Sequence, residues 1–134
     1  MSSKLVIAPA LLDGLRILEY GSSAATAFAA RQLGDLGATV TKVEPPEGDP
    51  LRNEGFVAQN SDTSALFAYT NASKRSVTLE DQTIEGRETL LRLIADSDVF
   101  VDAHRESHWS ELDIDFDSLP GIGRCKLAVS ITPF

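Results

Sequence analysis

Between Leu15 and Val43 the hydrophobic pattern changes period twice. Leu15-Arg16-Ile17-Leu18-Glu19-Tyr20 is a short β-rich run closed by Gly21. The stretch from Ser23 to Leu36 places Ala25, Phe28, Ala29, Leu33 and Leu36 at helical spacing, and Gly37 stands where a C-cap glycine belongs. Ala38-Thr39-Val40-Thr41-Lys42-Val43 reads as a second strand, stopped by Pro45-Pro46. Strand, helix and strand in this order predict a βαβ unit with parallel strands and a right-handed crossover.

The second half repeats the alternation after a long connection, 44–66, rich in Pro, Gly and Asn. Connections of more than about 12–15 residues are usually functional or disordered, but Leu51, Phe56 and Val57 predict that this one docks on the surface. Beyond Phe67–Asn71 and the polar turn Ala72-Ser73-Lys74-Arg75 comes a strand, Ser76-Val77-Thr78-Leu79. Thr83 is placed to cap a helix reaching about Ala95, with Glu85 favourable in its first turn. Its inward face would carry Ile84, Leu90, Leu91, Ile94 and Ala95. Asp98–Val101 is the next strand; short helical pieces at 107–112 and 116–119 lead to a fifth, Leu127–Ile131. The pattern predicts an α/β domain with an open, mainly parallel sheet of about five strands and flanking helices.

Residues 1–12 form an N-terminal tail ending at the turn pair Asp13-Gly14, and residues 13–134 form one domain. The chain stops just after an apolar strand, where a doubly wound domain normally adds a helix, so the domain is expected to be cut short at its C-terminus. An oily face on Leu127, Val129 and Ile131 would then favour self-association.

Length and composition narrow the class. The 134 residues carry 12 Lys+Arg against 20 Asp+Glu, a formal charge of −8. That balance argues against broad nucleic-acid binding, which needs clustered cations. No apolar run approaches the roughly 20 residues of a membrane span, and the N-terminus makes a poor signal peptide. The single Cys125 excludes an intrachain disulfide and a Cys-based zinc site, and points to a reducing, cytoplasmic setting.

Several places could carry chemistry. The first βα turn, Gly21-Ser22-Ser23-Ala24-Ala25-Thr26, offers helix N–H groups to an anion and keeps only the first glycine of a dinucleotide fingerprint, with Glu44 near the ribose-binding position. The alanines are equally explained by close packing of helix on sheet. Lys74-Arg75 could hold a phosphate or form a solvated turn, and Arg52 has the same two readings. His104 and His108, four apart after the fourth strand, could join Asp102 or Glu106 on a metal, but no third ligand is convincingly spaced with them. The stretch 96–117 holds eight acids and only Arg105 as a base; its usual meaning is a solvated face.

Taken together, several segments resemble the family III CoA-transferases, the group that includes formyl-CoA transferase, carnitine CoA-transferase and alpha-methylacyl-CoA racemase. They are Leu12–Glu19, Gln32–Arg52 (with Leu-Gly-Asp-Leu-Gly-Ala and Lys-Val-Glu-Pro-Pro), Asn71–Leu79, Thr83–Arg87, Ala95–Val101 and Ser130–Thr132. The resemblance implies a Rossmann-like domain that binds coenzyme A or acyl-CoA, without a metal, in proteins that form interlocked homodimers. Carried over by position, CoA contacts fall at Leu79, Glu80, Asp81 and Gln82 and at Arg105, and Lys74 and Arg75 match the family's Lys-Arg pair. In that chemistry an aspartate attacks the acyl-CoA to form a mixed anhydride and then a thioester. The aspartate's place lies beyond Phe134, so the chain reads as the inactive N-terminal part of a transferase or racemase. There are departures: Ala24 and Ala27 replace polar or turn residues, Pro133 replaces a glycine, and the family's Asn-Phe-Arg-Pro-Gly has become Ala103-His104-Arg105-Glu106-Ser107. These leave open a non-catalytic binding or assembly module of the same family, and the first turn leaves open a nucleotide-binding oxidoreductase domain.

Overall fold

The structure is a computed structural model that describes residues 9–133; most of the expected tail lies outside them. Five parallel strands form one sheet: β1 (Arg16–Tyr20), β2 (Thr39–Glu44), β3 (Arg75–Thr78), β4 (Val99–Asp102) and β5 (Leu127–Ser130), in the order β3-β2-β1-β4-β5. The helices are α1 (Ala24–Asp35), α2 (Ala65–Thr70), α3 (Ile84–Asp96) and α4 (Glu106–Glu111), with 3₁₀ turns at Pro50–Asn53 and Phe116–Ser118.

Alternate residues of each strand face opposite layers, and two cores result. Ile17, Val40 and Val101 pack with Ala30 of α1. Leu18, Tyr20, Val43 and Phe100 pack with Leu90 and Ile94 of α3 and with Trp109, Leu112, Leu119 and Cys125. The chain runs from β1 outward to β3, then returns to lay β4 on the other side of β1. A crevice therefore opens between β1 and β4 at the C-terminal ends of the strands, the place where open α/β sheets bind ligands.

The helix ends obey the capping chemistry. Ser23, Ser64 and Thr83 each accept a backbone N–H at the start of α1, α2 and α3. Past the end of α1, Gly37 adopts φ +107° and donates its N–H to the Gly34 carbonyl.

Three expectations need correction. The buried face of α1 is Thr26, Ala27 and Ala30, whereas Phe28 and Leu36 are 42% and 45% exposed. The small side chains let the helix approach the sheet, and the larger ones turn to its flank, where Phe28 stacks on Tyr69 of α2 at 6.4 Å between ring centroids. In α3, Leu90 and Ile94 are buried as expected, but Ile84, in the first turn, is 73% exposed. The 44–66 connection docks through Leu51, with Leu66 packed beside it, while Phe56 and Val57 stay exposed. The short α2 is not legible in the sequence, because its packing on α1 and on the 50–53 turn comes from tertiary contact more than from periodicity.

Candidate functional site

The crevice between β1 and β4 is built from the last residue of each strand and the turn after it. Asp102 ends β4 fully buried. Its carboxylate accepts the His104 N–H at 3.0 Å, the His104 Nδ1–H at 2.8 Å and the Trp109 indole N–H at 2.9 Å. Three donors satisfy this buried carboxylate without a cation. They also fix the turn that leads from β4 into α4.

Tyr20 ends β1. Its hydroxyl donates to the Asp81 carboxylate and lies 2.7 Å from His108 Nε2. Burial first, then Asp81, pushes the Tyr20 phenol far above its ordinary value. The His104 and His108 rings stack at 3.9 Å, and Tyr20 lies 4.2 Å from His104. Burial, and then the neighbouring His104, lowers the pKa of His108.

Gly21 comes next with φ +95°, and a β-carbon there would lie 2.7 Å from His104 Cε1. His104 thus packs directly against the first βα turn. The nitrogens His104 Nδ1 and His108 Nε2 are engaged by Asp102 and Tyr20. No group of three or more His, Cys, Asp or Glu among the described residues is arranged to hold a metal.

His104 separates two recesses. A small one of about 80 Å³ lies among Tyr20, Gly21, Pro45, Leu79, Asp81 and His104. A larger one of about 410 Å³ runs past His104, Glu106, Trp109, Phe116, Ser130 and Thr132.

Behind the crevice lies a buried ionic network. Lys42 Nζ meets Glu19 and Asp49, each at 2.8 Å. The Lys74 ammonium donates to Glu19 at 2.6 Å, the Ala27 carbonyl at 2.8 Å and Asn71 at 3.0 Å. Burial disfavours both ammoniums; at Lys42 the two carboxylates outweigh it and raise the pKa, whereas at Lys74 burial prevails and lowers it. Arg52 grips Glu44 with two hydrogen bonds of 2.8 Å. Those bonds, helped by Ser76 and the Asp49 N–H against burial, draw the Glu44 carboxyl down to about 2. The network pins the 45–53 segment to the ends of β1 and β2.

The model of CoA-transferase family III matches residues 12–124. The chain belongs to this family. It is 33% identical over 112 residues to the (R)-2-hydroxy-4-methylpentanoate CoA-transferase of Clostridioides difficile, covering 81% of this chain and 28% of that protein. It is 34% identical over 129 residues to the succinate–glutarate CoA-transferase of Agrobacterium fabrum, covering 92% of this chain and 32% of the relative. The crystal structure of a CAIB/BAIF family protein from Brucella suis superposes with TM-score 0.83 at 35% identity, over 95% of this chain and 34% of that one. The chain therefore spans about a third of the length of these relatives.

In this CoA-transferase domain, the residues expected on CoA divide into two groups. Leu79, Glu80, Asp81 and Gln82 come after β3: Leu79 packs on the core and Asp81 faces Tyr20, both lining the small recess, whereas Glu80 and Gln82 are exposed and line neither recess. Arg105 sits at the start of α4, exposed, with no side-chain hydrogen bond or ion pair among the described residues. Lys74 and Arg75 enter β3 at its other end. Lys74 is spent on the buried network, and Arg75 lines a separate groove of about 460 Å³ with Arg16, Thr39 and Thr41. The structure does not bring that pair together with 79–82 and Arg105. Sequence reasoning misses Tyr20 as a site residue. Its only sequence signal is a hydroxyl on the last residue of a strand read as core.

Proposed function

We propose that this chain is the CoA-binding part of an enzyme that transfers CoA between carboxylic acids, the aspartate nucleophile being supplied by sequence outside it. The carrying observation is that Leu79 and Asp81 of the 79–82 loop meet Tyr20 and His104 at the crevice between β1 and β4, with Arg105 following His104 in the chain. An exposed guanidinium there, with no acid paired to it among the described residues, can grip phosphate in a bidentate way. Asp102 and Asp81, which would otherwise repel an anion, are covered by hydrogen-bond donors.

Transfer is favoured over racemisation because the curated relatives named above are CoA-transferases. A homodimer is the assembly we propose, since the family resemblance implies interlocked chains. A cytoplasmic location fits the single buried Cys125. Among the described residues, no helix is long and apolar enough to cross a membrane.

Isothermal titration with CoA tests the reading. Arg105→Ala should weaken binding by about 1–3 kcal/mol, the loss of a charged hydrogen bond to phosphate. His104→Ala should cost less, because a neutral imidazole offers phosphate far less. CoA affinity untouched by Arg105→Ala in the folded variant would remove this residue from the site.

A further inference from the structure

Tyr20 makes more contacts than a core tyrosine requires. Its ring packs on Phe100 and Trp109 at 6.2 and 5.7 Å between centroids, and a buried phenol normally needs one hydrogen-bond partner. Here the oxygen has two, from different segments: Asp81 in the loop after β3 and His108 in α4.

The directions of these bonds are set by their chemistry. A carboxylate only accepts, so the single phenolic proton goes to Asp81. The Tyr20 oxygen then accepts from His108, which fixes that imidazole as the Nε2–H form. The result is a directed chain, His108 N–H to Tyr20 O–H to Asp81. Four ionisable groups bear on His108: the stacked His104 ring, Asp81 with its carboxylate 3.7 Å away, Asp102 and Glu111.

We infer that Tyr20 is a positioning residue for CoA, tying the 79–82 loop to the segment that carries His104 and Arg105 and so fixing the two walls of the crevice. The inference rests on the CoA reading above. The Asp102 bonds hold the turn from β4 into α4, and Leu79 anchors the start of the loop with its N–H on the Glu44 carbonyl; the Tyr20 oxygen adds a link between the two. Beyond Tyr20 and the facing His108, Asp81 takes a bond from Gln82 at 3.0 Å within its own loop.

Tyr20→Phe removes one oxygen and keeps the ring, so the core stays filled. The variant is read in three ways: His108 titration by NMR, amide exchange in 79–82, and CoA affinity. In the variant Asp81, released from the phenol, faces His108 directly, so the His108 pKa should rise. Exchange at 79–82 should accelerate, and CoA should bind about 3- to 10-fold more weakly, the effect of losing ordinary hydrogen bonds. In an Asp81→Ala background the same Tyr20→Phe change should cost little more, because coupled residues do not add. His108→Ala cuts the other half of the chain at a partly exposed position and should also loosen 79–82. CoA that binds the wild type and Tyr20→Phe alike overturns the inference while CoA binding stands. CoA that binds neither overturns both.

Discussion

His104 and His108 lie face to face, 3.9 Å between ring centroids and 13° from parallel. Burial resists charge on His108, and the neighbouring His104 adds to the resistance. The unfolded chain then binds the His108 proton more readily than the folded one. Stability rises with pH through this window: the penalty is absent above the ordinary value near 6.5 and grows as pH falls from there toward the lowered folded value. Urea midpoints between about pH 7 and 5 should fall for the wild type and fall less for His108→Gln. Parallel curves would show that His108 is not held neutral.

Lys42 makes the opposite kind of contact, with two buried carboxylates. Lys42→Met would leave Glu19 sharing only Lys74 and would leave Asp49 without its cation. Removing one member of a buried ion pair typically costs about 3–5 kcal/mol, and that loss is expected in urea unfolding. Arg75→Ala, on the exposed end of β3, should change stability by no more than about 0.5 kcal/mol. Similar costs for the two would contradict a role for the network in holding the 45–53 segment.

Acid should act through Glu44. Its folded carboxyl is drawn down to about 2 by Arg52. The stability it supplies is complete above the ordinary carboxyl value and is lost as pH falls toward about 2. Glu44→Gln should therefore remove part of the wild-type decline on acidification, read as the difference in unfolding midpoints across that window. An unchanged decline would place the acid sensitivity elsewhere.

The elements legible in the sequence are those whose pattern is local. The strands at Arg16–Tyr20 and Val99–Asp102 and the helix capped by Thr83 are dictated by periodicity and end signals within their own segments. The 79–82 loop and Arg105 can be singled out from the family's motifs, and because all the strands are parallel both follow the C-terminal ends of strands on the same edge of the sheet. Long-range polar pairing is not legible. Glu19 and Lys42 stand 23 residues apart and Tyr20 and Asp81 61 apart, and nothing in either neighbourhood announces the partner. The inward face of α1 is misread from spacing because alanine is only weakly apolar. Spacing points to Phe28 and Leu36, whereas close packing selects Thr26, Ala27 and Ala30.

On the proposed reading, CoA occupies the crevice between β1 and β4. The most direct measurement is an NMR titration of the ¹⁵N-labelled chain with CoA. Shifts should concentrate at Gly21 and Ser22, Leu79–Gln82 and Ala103–Arg105, saturate with CoA, and weaken in Arg105→Ala. Saturable shifts confined instead to Arg16, Thr39, Thr41 and Arg75, at the other end of the sheet, or no shifts at all, would contradict it.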